Sequence, residues 1–221
     1  MKTSRLVWAI AAIGGVAALS LGVMAPGLRF DTARVDRETA QSAARTEVPD
    51  RAPRGKVSDK FPNIRLITHD DKQVRFYDDL VKDKTVIINF MYTDCIAGCP
   101  LTTANLDRLY GHLRPRMGHD VLILSITLSG ELDTPQALRM YADQFGGVRP
   151  GWLYLTGNYD EIDALRRTLG VYDLDPVVDA NKNSHAGIIT FGNDRTNRWA
   201  ALPAMMDSRG IAKTVQWITR N

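Results

Sequence analysis

Thr85-Val86-Ile87-Ile88-Asn89-Phe90-Met91-Tyr92-Thr93-Asp94-Cys95-Ile96-Ala97-Gly98-Cys99-Pro100 is the stretch on which the reading of this chain turns. Thr85 to Phe90 is a compact β-branched run, the pattern of a strand covered on both faces. Pro100 suits the first position of a helix, which makes Cys99 its N-cap or close to it. The segment therefore reads as strand, short turn and helix start. Free N–H groups and a partial positive charge at a helix N-terminus stabilise a thiolate. With three residues between them, both sulfurs can point to one side of the first turn, where a soft cation could be held by the pair.

The spacing separates this pair from better-known cysteine chemistry. Thioredoxin-type oxidoreductases use two intervening residues. A peroxidatic cysteine expects Thr or Ser three positions earlier, and Tyr92 and Ile96 occupy those places here. A structural zinc site wants four ligands, and the chain holds 2 cysteines and 4 histidines in all. A plain stabilising disulfide is the bland alternative, but closing so short a loop removes little chain entropy. A reversible Cys95–Cys99 disulfide is still allowed by the spacing and favoured by an oxidising compartment.

Outward from this stretch, strands and helices alternate. Asn63 to Thr68 and Gln73 to Arg75 read as a hairpin about the turn His69-Asp70-Asp71. Leu101 to Met117 carries Leu106, Leu109, Tyr110 and Leu113 at helical spacing. Val121 to Leu128 is a second buried strand. Thr134-Pro135 starts a helix to about Phe145. Trp152 to Leu155 is a short strand, Tyr159 to Leu169 a helix ended by Gly170, Ile188 to Phe191 the last clear strand, and Ile211 to Arg220 a closing helix. This order predicts an α/β fold with βαβ crossovers, a mostly parallel central sheet flanked by helices, and an N-terminal β-hairpin. Functional groups in such sheets gather beyond the carboxyl ends of the strands, where Cys95 falls.

The bulk composition excludes some classes and places the domain. At 221 residues the chain is long enough for one well-packed domain plus extras. Setting aside Lys2 and Arg5 from the 28 basic residues leaves 26 against 25 acidic ones, with no basic stripe of the kind a nucleic-acid binder shows. Lys2 and Arg5 precede an uncharged, largely apolar run from Leu6 to Leu28, about the ~20 residues that cross a bilayer core. Residues 1–28 are read as an uncleaved membrane anchor. A cleaved signal ending near Val23-Met24-Ala25 is the alternative, with Pro26 awkwardly placed after the cut. Residues 29–58, rich in Arg, Asp, Glu, Ala and Pro, read as a flexible tether, and residues 59–221 as the folded, exported domain.

Of the histidines, His69, His112 and His119 fall in the hairpin turn, the first long helix and the loop after it, and read as surface imidazoles. His185 instead follows an acidic loop and immediately precedes the Ile188 strand. The order Phe90, Thr93-Asp94-Cys95-x-x-x-Cys99-Pro100, then Asp133-Thr134-Pro135, Trp152, Thr156-Gly157 and finally His185 before a strand resembles the Sco/SenC family over about residues 58–220. The resemblance implies a thioredoxin-like fold, an N-terminal membrane anchor, and a copper site formed by Cys95, Cys99 and His185. It also implies a role in delivering copper to, or reducing the cysteines of, a copper-receiving protein such as subunit II of cytochrome c oxidase, on the exported (periplasmic) side of a bacterial-type inner membrane. The common motif places Pro and an acidic residue after the first cysteine, where this chain has Ile96 and Ala97. The tail from Arg195 to Asp207 also departs from the family's usual ending. Two thiolates and an imidazole make a soft to borderline donor set that suits copper in either valence. The same two sulfurs, acting without metal, would serve a thiol–disulfide reductase. Met91, Met205 and Met206 are candidate thioether donors, but methionine is more often core filler.

Overall fold

The computed structural model describes residues 55–95, 98–130, 132–181 and 187–220. The apolar run 6–28, most of the expected tether and His185 lie outside the described residues, as do Ile96 and Ala97. Among the described residues no helix is long and apolar enough to cross a membrane.

Seven strands form one sheet: β1 (Arg65–Thr68), β2 (Gln73–Arg75), β3 (Thr85–Met91), β4 (Val121–Thr127), β5 (Trp152–Gly157), β6 (Ile188–Asn193) and β7 (Arg198–Pro203). Their order across the sheet is β2-β1-β5-β4-β3-β6-β7. The three central strands β5, β4 and β3 run parallel, as expected from the crossovers between them. On one side the expected hairpin, β1 with β2, adds antiparallel to β5. On the other, β6 adds antiparallel to β3, and β7 antiparallel to β6. The α/β class and the hairpin are as expected, but the sheet is mixed rather than mostly parallel: of these strands only β3–β4 and β4–β5 pair parallel, because the hairpin and β6–β7 add antiparallel strands on both sides. All residues of β3 and β4 are buried, which is why these two sequences show no alternation. A short polar chain crosses this centre: the Trp152 indole N–H donates to Ser125 Oγ, which donates to Asn89 Oδ1, at 3.0 and 2.7 Å.

The helices are α1 (Gly98–Leu113), α2 (Pro135–Asp143), α3 (Tyr159–Thr168), the single turn α4 (Pro176–Asp179) and α5 (Ser208–Ile218). Side chains cap four of them at the N-terminus, Thr134 for α2, Asn158 for α3, Asp175 for α4 and Asp207 for α5. In α3, Asp160 and Glu161 sit in the first turn and Arg166 and Arg167 in the last, matching the helix dipole at both ends. α1 lies between two neighbours: Thr103 meets the Tyr141 hydroxyl of α2, and Arg116, just beyond α1, donates to Thr219 at the end of α5.

Two features were not anticipated. Strand β7 falls in the stretch 195–207, whose composition has few β-branched residues. It exists because Trp199 lies flat over Gly192 of β6, where an added Cβ would come within 2.1 Å of the indole. Phe61 meets the same indole edge-on at 4.7 Å. The second is the wide turn Phe76–Val81 after β2, which buries Phe76, Leu80 and Val81.

Candidate functional site

The cysteine turn leaves β3 at the carboxyl edge of the parallel strands. The Leu128 N–H donates to Met91 O at 2.9 Å, carrying the β3–β4 pairing to the end of the strand, and the Cys95 N–H reaches back to Tyr92 O at 3.4 Å. Helix α1 begins at Gly98, two residues before the position Pro100 signals, so Cys99 stands in its first turn. From there its backbone N–H donates to Cys95 Sγ at 3.3 Å. The two cysteines are thus brought together as expected, one sulfur accepting from the helix N-terminus that carries the other. Both are present as thiols and both are buried, Cys95 8% and Cys99 1% exposed.

Burial pushes the Cys99 thiol up to about 12, with the hydrogen bond to Cys95 adding to the shift. Tyr92, at the start of the turn, is raised to about 12 for the same first reason. Below the pair, Thr103 Oγ1 lies 2.9 Å from both Cys99 O and the Tyr141 hydroxyl, whose titration burial also displaces upward. The site is closed to solvent around Cys99, and the Cys95 sulfur rests on the backbone N–H of the residue that carries the second sulfur.

The turn is held from beneath by Asp133. Its buried carboxylate accepts the Thr93 N–H at 3.1 Å and the hydroxyls of Thr93 and Thr127. In the sequence Asp133 is only a landmark before Thr134-Pro135. Its role follows from the β3–β4 pairing, which sets the Thr127 end beside the cysteine turn. No local signal marks it beyond an acidic residue at the carboxyl end of a buried strand.

β6 enters the sheet at the same edge. Its Ile189 pairs with Asn89 of β3, so Gly187 and Ile188 emerge beside the segment that becomes the cysteine turn. The other flank of residues 182–186 ends in α4, which is pinned by an ion-pair cluster. Arg166 donates to both oxygens of Asp179 at 2.6 and 2.8 Å, to Asp163 at 3.0 Å and to Val171 O at 2.9 Å. The Arg166 guanidinium holds Asp179 well below the usual carboxylate range. Between this cluster and Tyr92 is a cavity of about 330 Å³, lined also by Leu128, Tyr159 and Asp163. Both described flanks of the segment containing His185 thus lead toward the cysteine edge. Among the described residues no three His, Cys, Asp or Glu side chains group as a metal site.

The remaining histidines divide. His112 and His119 are exposed, as read. His69 is not a surface imidazole: it is 3% exposed, Nδ1 accepts the Tyr154 N–H at 3.2 Å, and burial lowers its titration. The hairpin turn is folded down on β5, which no property of the turn sequence shows. Met91 is core, whereas Met205 and Met206 are exposed on the turn after β7, which Asn105 of α1 ties down through Ala204 O and Met206 O.

Comparison with known proteins bears on the fold and the family. The chain is 30% identical over 111 residues to a putative copper-binding protein of Stutzerimonas stutzeri, a match spanning 50% of this chain and 52% of that one, so about half the length of the relative. A SCO1/SenC family lipoprotein from Bacillus anthracis str. Ames superposes with a TM-score of 0.61 at 19% identity, over 76% of this chain and 100% of the other. BsSco, a member of the Sco family of cytochrome c oxidase assembly proteins in which a disulfide switch was identified, superposes at 0.57 with 20% identity, over 76% and 96%. The two structures share the chain's thioredoxin-like fold. The sequence model of the SCO1/SenC family matches residues 53–220, and the chain belongs to that family.

Proposed function

We propose that this protein is an exported, membrane-tethered copper carrier. Cys95, Cys99 and His185 hold the metal, and a copper centre such as that of cytochrome c oxidase receives it. The observation that supports this most is the placing of two buried cysteines at one helix start, the Cys99 backbone N–H donating to Cys95 Sγ at 3.3 Å, at the edge of the sheet from which β6 begins. Two sulfurs at a helix N-terminus suit Cu(I), which displaces their protons on binding, and a third, nitrogen donor extends the set to Cu(II). The copper is cargo, and the chain's part is to present sulfur in a dry setting and give it up to a partner. The Stutzerimonas relative named for copper binding supports the metal, and the assembly role attached to BsSco supports the client. The lipoprotein neighbour supports a membrane-associated location.

A second use of the same atoms is favoured by the sulfurs' proximity. The two thiols can pass two electrons and two protons to a partner disulfide, becoming a Cys95–Cys99 disulfide as the partner's bond becomes two thiols. Metal analysis of the reduced protein, with and without His185, tests the first reading. The parent is expected to bind one copper per chain in either valence, with a thiolate-to-Cu(II) absorption. His185→Ala should hold Cu(I) more weakly and lose that absorption, while His112→Ala and His119→Ala match the parent. Parent-like binding of both valences by His185→Ala would remove the histidine from the site. Reduction of a partner's thiols by the metal-free protein would favour the second use.

A further inference from the structure

A face distinct from the cysteine site gathers positive charge that is scattered in the sequence. The described chain enters the fold at the turn between β6 and β7, where Lys56 pairs with Asp194 at 2.9 Å and the Val57 N–H donates to Asn197 at 2.7 Å. Asn193 pairs with Thr85, the first residue of β3, so this turn lies at the pole opposite the cysteines, about 20 Å away along the strand. The same pole collects Arg195, Arg198 and Arg220, with Lys213 and Trp217 on the outer side of α5. Arg198 donates to the carbonyls of Trp217 and Arg220 at 3.2 and 2.7 Å, and its guanidinium stacks 5.3 Å over the Trp217 ring, which is 58% exposed. Among the carboxylates nearby, Asp120 pairs with Arg116, Asp194 is buried beneath Lys56 and Asp83 is flanked by Lys82 and Lys84, while exposed Asp59 accepts the Lys56 N–H and is outnumbered by the cations around it. The cysteine pole is the reverse, with Asp94, Asp160, Glu161, Asp173 and Asp175 all exposed.

We propose that this basic, tryptophan-bearing pole seats on an anionic phospholipid surface, turning Cys95 and Cys99 away from the bilayer. The inference rests on the reading of residues 6–28 as a membrane anchor. If they are, residues 29–54 can span at most about 90 Å, so the domain stays within that reach of the lipid. The pole where the chain enters is the one the anchor presents first. An exposed indole flanked by cations is the chemistry of the headgroup layer, and clustered Lys and Arg are drawn to anionic lipid over about a Debye length. The acidic opposite pole is repelled, so the charge asymmetry sets an orientation as well as an attraction.

The test uses the full chain in lipid nanodiscs of phosphatidylcholine alone or with one-third phosphatidylglycerol, read by hydrogen–deuterium exchange. Amides of 195–199 and 213–220 are expected to exchange about fivefold more slowly in the anionic discs only, and to lose that protection in 1 M salt. Lys213→Glu with Arg220→Glu should abolish it while β3 and β4 exchange as in the parent, and Trp217→Ala should weaken it. Equal exchange in both lipids, or slowing at 159–175 instead, would overturn the proposal. Protection by double-stranded DNA equal to that by the anionic discs would assign the face to polyanions at large and overturn it too. Retention of the chain on the discs in 1 M salt reports the anchor separately.

Discussion

Asp133 and His69 show what single buried polar residues do here. The Asp133 carboxylate is the acceptor for the N–H and hydroxyl of half-buried Thr93 and for the buried hydroxyl of Thr127. Asp133→Ala is therefore expected to cost about 2 kcal/mol, the scale of losing hydrogen bonds to a charged group, measured by urea denaturation. It should also loosen Thr93-Asp94-Cys95, seen as faster alkylation of Cys95 in the reduced protein. Unchanged stability and alkylation together would show that the carboxylate does not position the turn. His69 gives a pH dependence. Its folded-state titration lies below the 6.5 of an ordinary imidazole because burial disfavours the cation, with Asp70 opposing and Arg139 and Lys72 adding. The unfolded chain then takes up the proton first as pH falls. The His69 contribution to stability is whole above about 6.5 and shrinks as pH drops from there toward the lower folded value. Between pH 7.5 and 5, His69→Gln should flatten the stability profile relative to the parent, and an identical slope in the two would rule the residue out.

Among the elements, α4 is the least self-sufficient, a single turn held by Arg166 through Asp179, whose side chains are 4% and 7% exposed. Removing one member of such a pair strands the other charge, so Asp179→Ala is expected to cost about 3 kcal/mol. Amide exchange should speed first at residues 171–181, and a uniform change across the domain would mean that α4 is not a separate unit. The elements that could be read from sequence are those whose signal is local. β3 and β4 were legible as unbroken apolar runs, and α2 and α3 from Thr134-Pro135 and the Gly170 stop, to within two or three residues. β7 was not, because its reason for existing is the Trp199–Gly192 contact with another strand. The site divides in the same way. Cys95 and Cys99 could be picked out by spacing and a helix start, whereas Asp133, Tyr141 and the Arg166–Asp179 pair matter only through long-range contacts that no pattern encodes.

At the scale of the whole molecule, the segment 55–60 straps the domain to its own last hairpin. Lys56 and Ser58 both bind Asp194, whose side chain is fully buried, and Val57 binds Asn197. A fragment beginning at residue 55 is expected to fold as a soluble domain. One beginning at residue 62 leaves Asp194 with the Asp83 N–H alone among these partners, and should lose about 2 kcal/mol or more in denaturant. Equal stability of the two would make the strap ornamental. If residues 6–28 are fixed in a bilayer, the strap is also where mechanical load arrives. A pull on the tether is taken first by the Lys56–Asp194 and Val57–Asn197 links at one corner of the sheet, and their rupture releases about 20 Å of chain before the next packed element resists. Under such a load that slack would absorb the tug at the pole remote from the cysteines, and the strap would act as a fuse for the strands beside Cys95 and Cys99.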